Sequence, residues 1–218
     1  MNKVNLLLFR GSPRSNIENV EIWNEKIPCD KLLVRYTLEY AAYKIARDFF
    51  LQHTEYTHLV IATDDIVVKP KHVEMLQNDL EERDYPVLSG MMNVDQADVN
   101  TVNLTRTLPS KDRRGRHYKH ITRKELEDSE DFFQVAFSGF PLMAIRRDIV
   151  ERFNFDADRI YQGLDGSRGA SLDLVFCWNC QENDIPVWVD KRIDMKHLRS
   201  SGKNLVGKKE KVTEFMKY

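Results

Sequence analysis

From Lys3 to Gly90 short apolar runs alternate with longer stretches in which apolar residues recur at helical spacing, the pattern of strands interleaved with helices. Lys3 to Phe9 reads as a first strand, followed by a turn-rich loop, Arg10-Gly11-Ser12-Pro13-Arg14. Asp30 is placed to cap a helix running to about Gln52, with Leu32, Leu33, Tyr36, Ala42, Ile45 and Phe49 on its apolar stripe. The stretch Thr57 to Pro70, T-H-L-V-I-A-T-D-D-I-V-V-K-P, contains the run Leu59-Val60-Ile61, which fits a strand buried on both faces. Pro70 suits the first turn of another helix, and Tyr85 to Gly90 reads as a further buried strand. This β-α-β-α-β order predicts a single-domain α/β fold, with a mostly parallel central sheet flanked by helices.

The second half starts differently. Met91 to Asp131 is polar and carries the basic block Lys111 to His120, the pattern of a solvated face or of a substrate-facing lid, with room for an edge strand within Val99 to Leu108. Order returns with the tight loop Phe137-Ser138-Gly139-Phe140-Pro141, a strand at Leu142 to Ile145, and a helix opening at Arg146-Arg147-Asp148. Gln162 to Gly169 is Gly-rich, Ser171 caps a helix to about Glu182, and Ile185 to Val189 is a late strand. Ser200 to Tyr218 is lysine-rich with few apolar residues and reads as a tail.

Composition narrows the classes. A chain of 218 residues with 42% hydrophobic and 31% charged residues matches a soluble globular protein. Its formal charge of −1 argues against a general nucleic-acid binder. No apolar run reaches the roughly 18 residues that span a bilayer. The opening M-N-K-V-N-L-L-L-F-R is too soon broken by Arg10 for a secretory signal. Three cysteines, an odd number, point to reduced thiols and a cytoplasmic setting. Cys177 and Cys180 form a C-x-x-C inside a helical pattern, with no second pair to complete a zinc site, and read as buried thiols.

The chemistry concentrates at Thr63-Asp64-Asp65. Adjacent carboxylates at the end of a buried strand repel each other unless a cation sits by them. The carboxyl ends of strands in open α/β sheets are where ligands bind. Mg²⁺ and Mn²⁺ favour carboxylate oxygens together with substrate phosphates. Neither G-x-G-x-x-G nor a Walker sequence occurs.

Taken in order, these features resemble the nucleotide-sugar glycosyltransferases of the GT-A fold, in a family-2-like form with a Rossmann-like sheet. Thr63-Asp64-Asp65 resembles the D-x-D motif, with Thr63 at the first Asp. Phe137-Ser138-Gly139-Phe140 and the strand to Arg146-Arg147 resemble the acceptor-side G-G-F strand. Ser171-Leu172-Asp173 resembles the helix-opening E-D motif, with Leu172 in place of Glu, and His197 stands where members carry a late metal-binding His. The likeness spans about residues 3 to 199, so it implies one domain, 1–199, with a donor half to about 95 and an acceptor half from about 96, followed by the tail 200–218.

The resemblance implies transfer of a sugar from a nucleotide diphosphate, UDP being the commonest, to a hydroxyl acceptor with Mn²⁺ or Mg²⁺. It implies Asp65 and His197 as metal ligands, Asp64 at the ribose or a metal-bound water, Thr63 among the donor contacts, and Asp173 as general base. Donor contacts are expected from Arg10, Gly11, Asp30, Arg35 and Asp165, and acceptor-side contacts from Gly139 and Phe140. Leu172 weakens the inverting assignment, so the stereochemistry stays open. Two rivals share the architecture: a sugar nucleotidyltransferase, for which the loop at Arg10-Gly11-Arg14 is a poor version of the Gly-rich basic loop, and a non-catalytic binding module. The domain could equally belong to a longer polypeptide.

Overall fold

The computed structural model describes residues 5–11, 29–35, 39–63, 66–95, 98–108, 119–155 and 172–197. The apolar run at Leu59 is strand β3 (His58–Ala62), buried at every position. It lies between β1 (Asn5–Gly11), which is parallel to it, and β10 (Leu142–Arg146), which is antiparallel. Beyond β1 comes β2 (Asp30–Arg35), and beyond β10 come β5 (Val87–Asp95) and β11 (Val187–His197), both running with β3. The central sheet is therefore mixed: the expected parallel set is interrupted by β10, which runs antiparallel to both of its neighbours.

Alternation along β3 divides the core in two. Leu59 and Ile61 face one cluster, built with α1 (Glu39–Gln52), α4 (Arg147–Arg152) and α5 (Leu172–Glu182). Val60 and Ala62 face the other, built with Val73, Leu76 and Leu80 of α2 (Pro70–Glu82). Alternate side chains of a strand point to opposite faces, so a strand covered on both sides must be apolar throughout. Pro70 occupies the first position of α2, as expected, and the Lys69 backbone N–H donates to His72 Nδ1 at 3.1 Å. Burial and the neighbouring Lys71 and Lys69 hold the His72 pKa down to about 4, so its ring is neutral.

Residues 30–35 do not start a helix. They form β2, paired in register with β1 from Leu6↔Asp30 to Gly11↔Arg35. The spacing of Leu32, Leu33 and Tyr36 fits either element, and pairing along a free sheet edge decides for the strand. The helix begins at Glu39.

The described part of the polar stretch after Met91 contains regular strands and a helix, while the basic residues 111–118 lie outside the described residues. β5 continues to Asp95, β6 (Asp98–Thr105) folds back on it, and β7 (His120–Thr122) pairs with β6. Thr122 caps α3 (Arg123–Glu127) through a reciprocal bond with Glu125. β8 (Phe132–Val135) adds to β11, and β9 (Phe137–Ser138) pairs with β6. β11 is twice as long as the expected late strand and ends at His197, with a shift in register against β5 between Val189 and Asp194. Gly90 faces that irregularity, where a Cβ would stand 2.7 Å from both the Ile193 side chain and its carbonyl.

Candidate functional site

Because β1, β2, β3, β5 and β11 run together, their carboxyl ends share one edge of the sheet, and β10, running the other way, brings its amino end to the same edge. Chain order reverses direction at β1, which has β2 on one side and β3 on the other, and such switch points form ligand crevices. Arg10, Gly11 and Arg35 lie at this end, with Gly11 paired to Arg35. Thr63 follows β3 there. Its backbone N–H donates to the Phe140 carbonyl at 3.2 Å, tying the end of β3 to the start of β10. Thr63 Oγ1 is buried with no hydrogen-bond partner among the described residues.

Asp30, expected among the donor contacts, stands at the opposite edge. It pairs with Leu6 rather than Gly11, five residues or about 16 Å along the strand. There its carboxylate accepts a 2.9 Å bond from the Tyr56 hydroxyl, a packing role. Phe140, expected on the acceptor side, is fully buried, its ring 5.6 Å from Tyr43 and 5.7 Å from Phe176. Its ring anchors α1 and α5 to the sheet, and only its backbone reaches the edge.

Gly139 and Asp173 are brought together. Asp173 is the acid of the first turn of α5, and a Cβ on Gly139 would lie 3.1 Å from its Oδ2. The same Cβ would collide with the amide nitrogen of Asn103 on β6, so only glycine admits both side chains. The support below is firm. Gly139 N–H donates to the Asn103 carbonyl at 3.3 Å, and the buried hydroxyls of Ser138 and Ser89 meet at 2.9 Å. Ser89 Oγ donates to the Gly90 carbonyl, so the proton of the shared bond comes from Ser138. Cys177 donates weakly to the Ser138 carbonyl at 3.7 Å. Cys177 and Cys180 are buried, and burial pushes both thiols up, Cys180 to about 12, which makes them inert packing groups as expected.

Asn103 was not among the residues singled out in the sequence. The only local signal is alternation in β6, where buried Val102 and Leu104 flank it, and its partner Gly139 lies far along the chain.

The second focus of the edge is His197. It is buried, and its Nδ1 lies 3.0 Å from both the Asn93 and Val94 carbonyl oxygens. Carbonyl oxygens only accept, so the hydrogen is on Nδ1, and in the neutral ring Nε2 keeps the lone pair. This is the arrangement by which a backbone carbonyl orients a metal-binding imidazole. Across the sheet His197 pairs with Ile66 of β4 (Ile66–Val67), the residue that follows Asp65 in the sequence. Ile66 is three residues beyond Thr63, a reach of at most about 11 Å, so His197 returns close to the end of β3.

Arg123 holds this corner. It forms two bonds to the Asp194 carboxylate, at 2.7 and 2.9 Å, and two to Asn93 Oδ1, at 2.6 and 3.1 Å. It thereby clamps β5 to β11 beside the carbonyls that orient His197.

Among the described residues no three His, Cys, Asp or Glu side chains stand close enough to hold a metal ion by themselves. Asp64, Asp65 and Asp165 lie outside the described residues. A site at His197 would draw its further ligands from the acidic pair. The His197 imidazole, oriented through Nδ1, and the Thr63 hydroxyl, buried without a hydrogen-bond partner among the described residues, are the described groups of this edge that could serve a divalent ion.

No helix among the described residues is long and apolar enough to cross a membrane. No protein-family model matches the chain, and no curated protein matches it. Solved structures do. The crystal structure of A197 from STIV aligns over 88% of this chain and 82% of its own, at 16% identity and a TM-score of 0.50. The inositol-1-phosphate CTP transferase from T. maritima aligns over 97% of this chain and 74% of its own, at 10% identity and a TM-score of 0.45. A CMP:2-keto-3-deoxy-manno-octonic acid synthetase complexed with CTP aligns over the whole of both chains, also at 10% and 0.45. At such identities the likeness is one of fold: this chain is an α/β domain with a Rossmann-like mixed sheet.

Proposed function

We propose that this protein is a metal-assisted transferase acting on a nucleotide-activated sugar, and that it moves the sugar to a hydroxyl acceptor. The observation that supports the reading is the pairing of His197, its imidazole oriented through Nδ1, with Ile66, the residue that follows Asp64-Asp65 in the sequence. Asp65 and His197 would hold the divalent ion, which when bound neutralises charge on the diphosphate. Arg10 and Arg35 end neighbouring strands at this edge and would supply positive charge to the donor phosphates, and Thr63 would offer its hydroxyl to the donor.

Asp173 supplies the acceptor chemistry. Its position in the first turn of α5 favours the charged carboxylate through the helix dipole. It takes the proton of the acceptor hydroxyl as that oxygen bonds the anomeric carbon. The bond from that carbon to the phosphate oxygen breaks, and its electron pair leaves with the nucleoside diphosphate. This is the inverting course, and product stereochemistry tests it.

The second reading, a sugar nucleotidyltransferase, would use the same two arginines, whose strands end at the switch point, to hold a triphosphate. One experiment separates the two. The protein is incubated with Mn²⁺ and either a UDP-sugar or CTP plus a sugar 1-phosphate. Release of UDP from the first mixture supports sugar transfer. Pyrophosphate from the second replaces that reading with nucleotidyl transfer. Neither product, with no nucleotide bound, leaves the non-catalytic module.

A further inference from the structure

The end of β5 departs from regular strand geometry where it meets His197. In a regular strand successive carbonyls point to opposite sides, so one group meets only one of them. Here the carbonyl oxygens of Asn93 and Val94 both lie 3.0 Å from His197 Nδ1. The pairing of β5 with β6 shifts register at the same place, between Asn93 and Asp95. Irregularities of this kind re-aim the groups of a strand. The side chain that spans this one is Arg123, the first residue of α3. Its guanidinium donates to Asn93 Oδ1 through Nε and Nη2, to the Val99 carbonyl at 2.9 Å through Nε, and to both Asp194 carboxylate oxygens. Asn93 lies where β5 turns irregular, Val99 is on the returning β6, and Asp194 precedes His197 on β11. One planar fork therefore joins three strands around the two carbonyls.

We infer that Arg123 is a positioning residue of the metal centre: it fixes the Asn93 and Val94 carbonyls so that they keep the hydrogen of His197 on Nδ1 and its lone pair on Nε2. The inference rests on the metal-assisted reading above and adds to it the residue that prepares His197 for the ion. A guanidinium has no lone pair to offer a metal, so Arg123 acts through the backbone and not as a ligand. Lysine at this position keeps the positive charge but not the planar fork, and cannot span the same three partners. Arg123→Lys therefore separates the geometry from the charge.

The test uses the full chain with ¹⁵N-labelled histidine. Long-range ¹H–¹⁵N spectra read the His197 tautomer without metal, and electron paramagnetic resonance reads Mn²⁺ uptake in the presence of UDP. Wild-type His197 should be the Nδ1–H tautomer. In Arg123→Lys and Arg123→Ala the ring should show both tautomers, and Mn²⁺ affinity should fall about 10-fold. Asn93→Ala removes the side chain that Arg123 grips, keeps the backbone carbonyls, and should move both readouts the same way. Either readout unmoved in both Arg123 variants makes the residue a brace of the fold only and overturns the inference, whatever the melting temperature does, while the metal reading stands. A wild type that takes up no Mn²⁺ with UDP removes the metal reading and this inference together.

Discussion

The irregular turn of β11 that carries His197 back toward β3 rests on a buried acid pair, and this makes the stability of the fold depend on pH. Asp190 is fully buried and Asp79 of α2 nearly so. Arg192 bonds both, at 2.7 Å to Asp79 and 2.9 Å to each Asp190 oxygen. One guanidinium cannot neutralise two carboxylates. Burial first, and then the neighbouring Asp190, push the Asp79 pKa up to about 7 from 3.8. The folded chain thus keeps a proton that the unfolded chain gives up, from about pH 4 to about pH 7. Stability is fully present below the unfolded pKa and is lost as pH rises through the folded one. Between pH 5 and pH 8 the loss from this group is about 2.5 kcal/mol. Asp79→Asn keeps the shape of the protonated acid and cannot ionise. In urea denaturation at the two pH values, the wild type should lose about 2.5 kcal/mol more than the variant. If both lose stability in parallel, Asp79 is ionised throughout as a simple partner of Arg192, and its raised pKa is refuted.

Three further outcomes follow from the packing and the site. Phe140→Ala removes a fully buried ring between α1 and α5 and should cost about 3–5 kcal/mol by urea denaturation, whereas a cost below about 1 kcal/mol would mean the core collapses around it. Tyr56→Phe removes the bond to Asp30 at the edge away from the site, and should cost about 1 kcal/mol with nucleotide affinity unchanged. A weaker nucleotide affinity would return Asp30 to the donor contacts. Asp173→Asn should spare UDP binding and lower turnover about 10²- to 10⁴-fold, and equal losses in binding and turnover would remove it from the general-base role.

The sequence disclosed the elements whose pattern admits one reading. Leu59-Val60-Ile61 fits a doubly covered strand, Pro70 suits the first turn of a helix, and α5 runs close to its expected limits. Ambiguity arose where tertiary pairing outweighs local preference. Asp30–Arg35 has an apolar spacing that a helix would accept, and its pairing with β1 decides otherwise. β11 was read too short because Asp190, Arg192, Asp194 and Lys196 break its apolar run. The alternation of Ile193, Met195 and His197 with polar residues was the available signal for its extension. Phe140 was placed on the acceptor side from the resemblance to the G-G-F strand, since a sequence does not tell which way a ring turns. Asn103 had no signal of its own, because its meaning depends on a glycine that folding brings beside it.

The most direct test of the central claim is calorimetric titration of UDP, GDP and CMP into the wild type, Asp65→Asn and His197→Ala, each with Mn²⁺ and again with EDTA. The account predicts that one nucleotide diphosphate binds the wild type with Mn²⁺ and is lost with EDTA. Affinity should fall about 10- to 100-fold or more in each variant. Nucleotide affinity that is indifferent to EDTA, or unchanged in His197→Ala, would contradict a metal centre where β4 meets β11 and with it the transferase built around it.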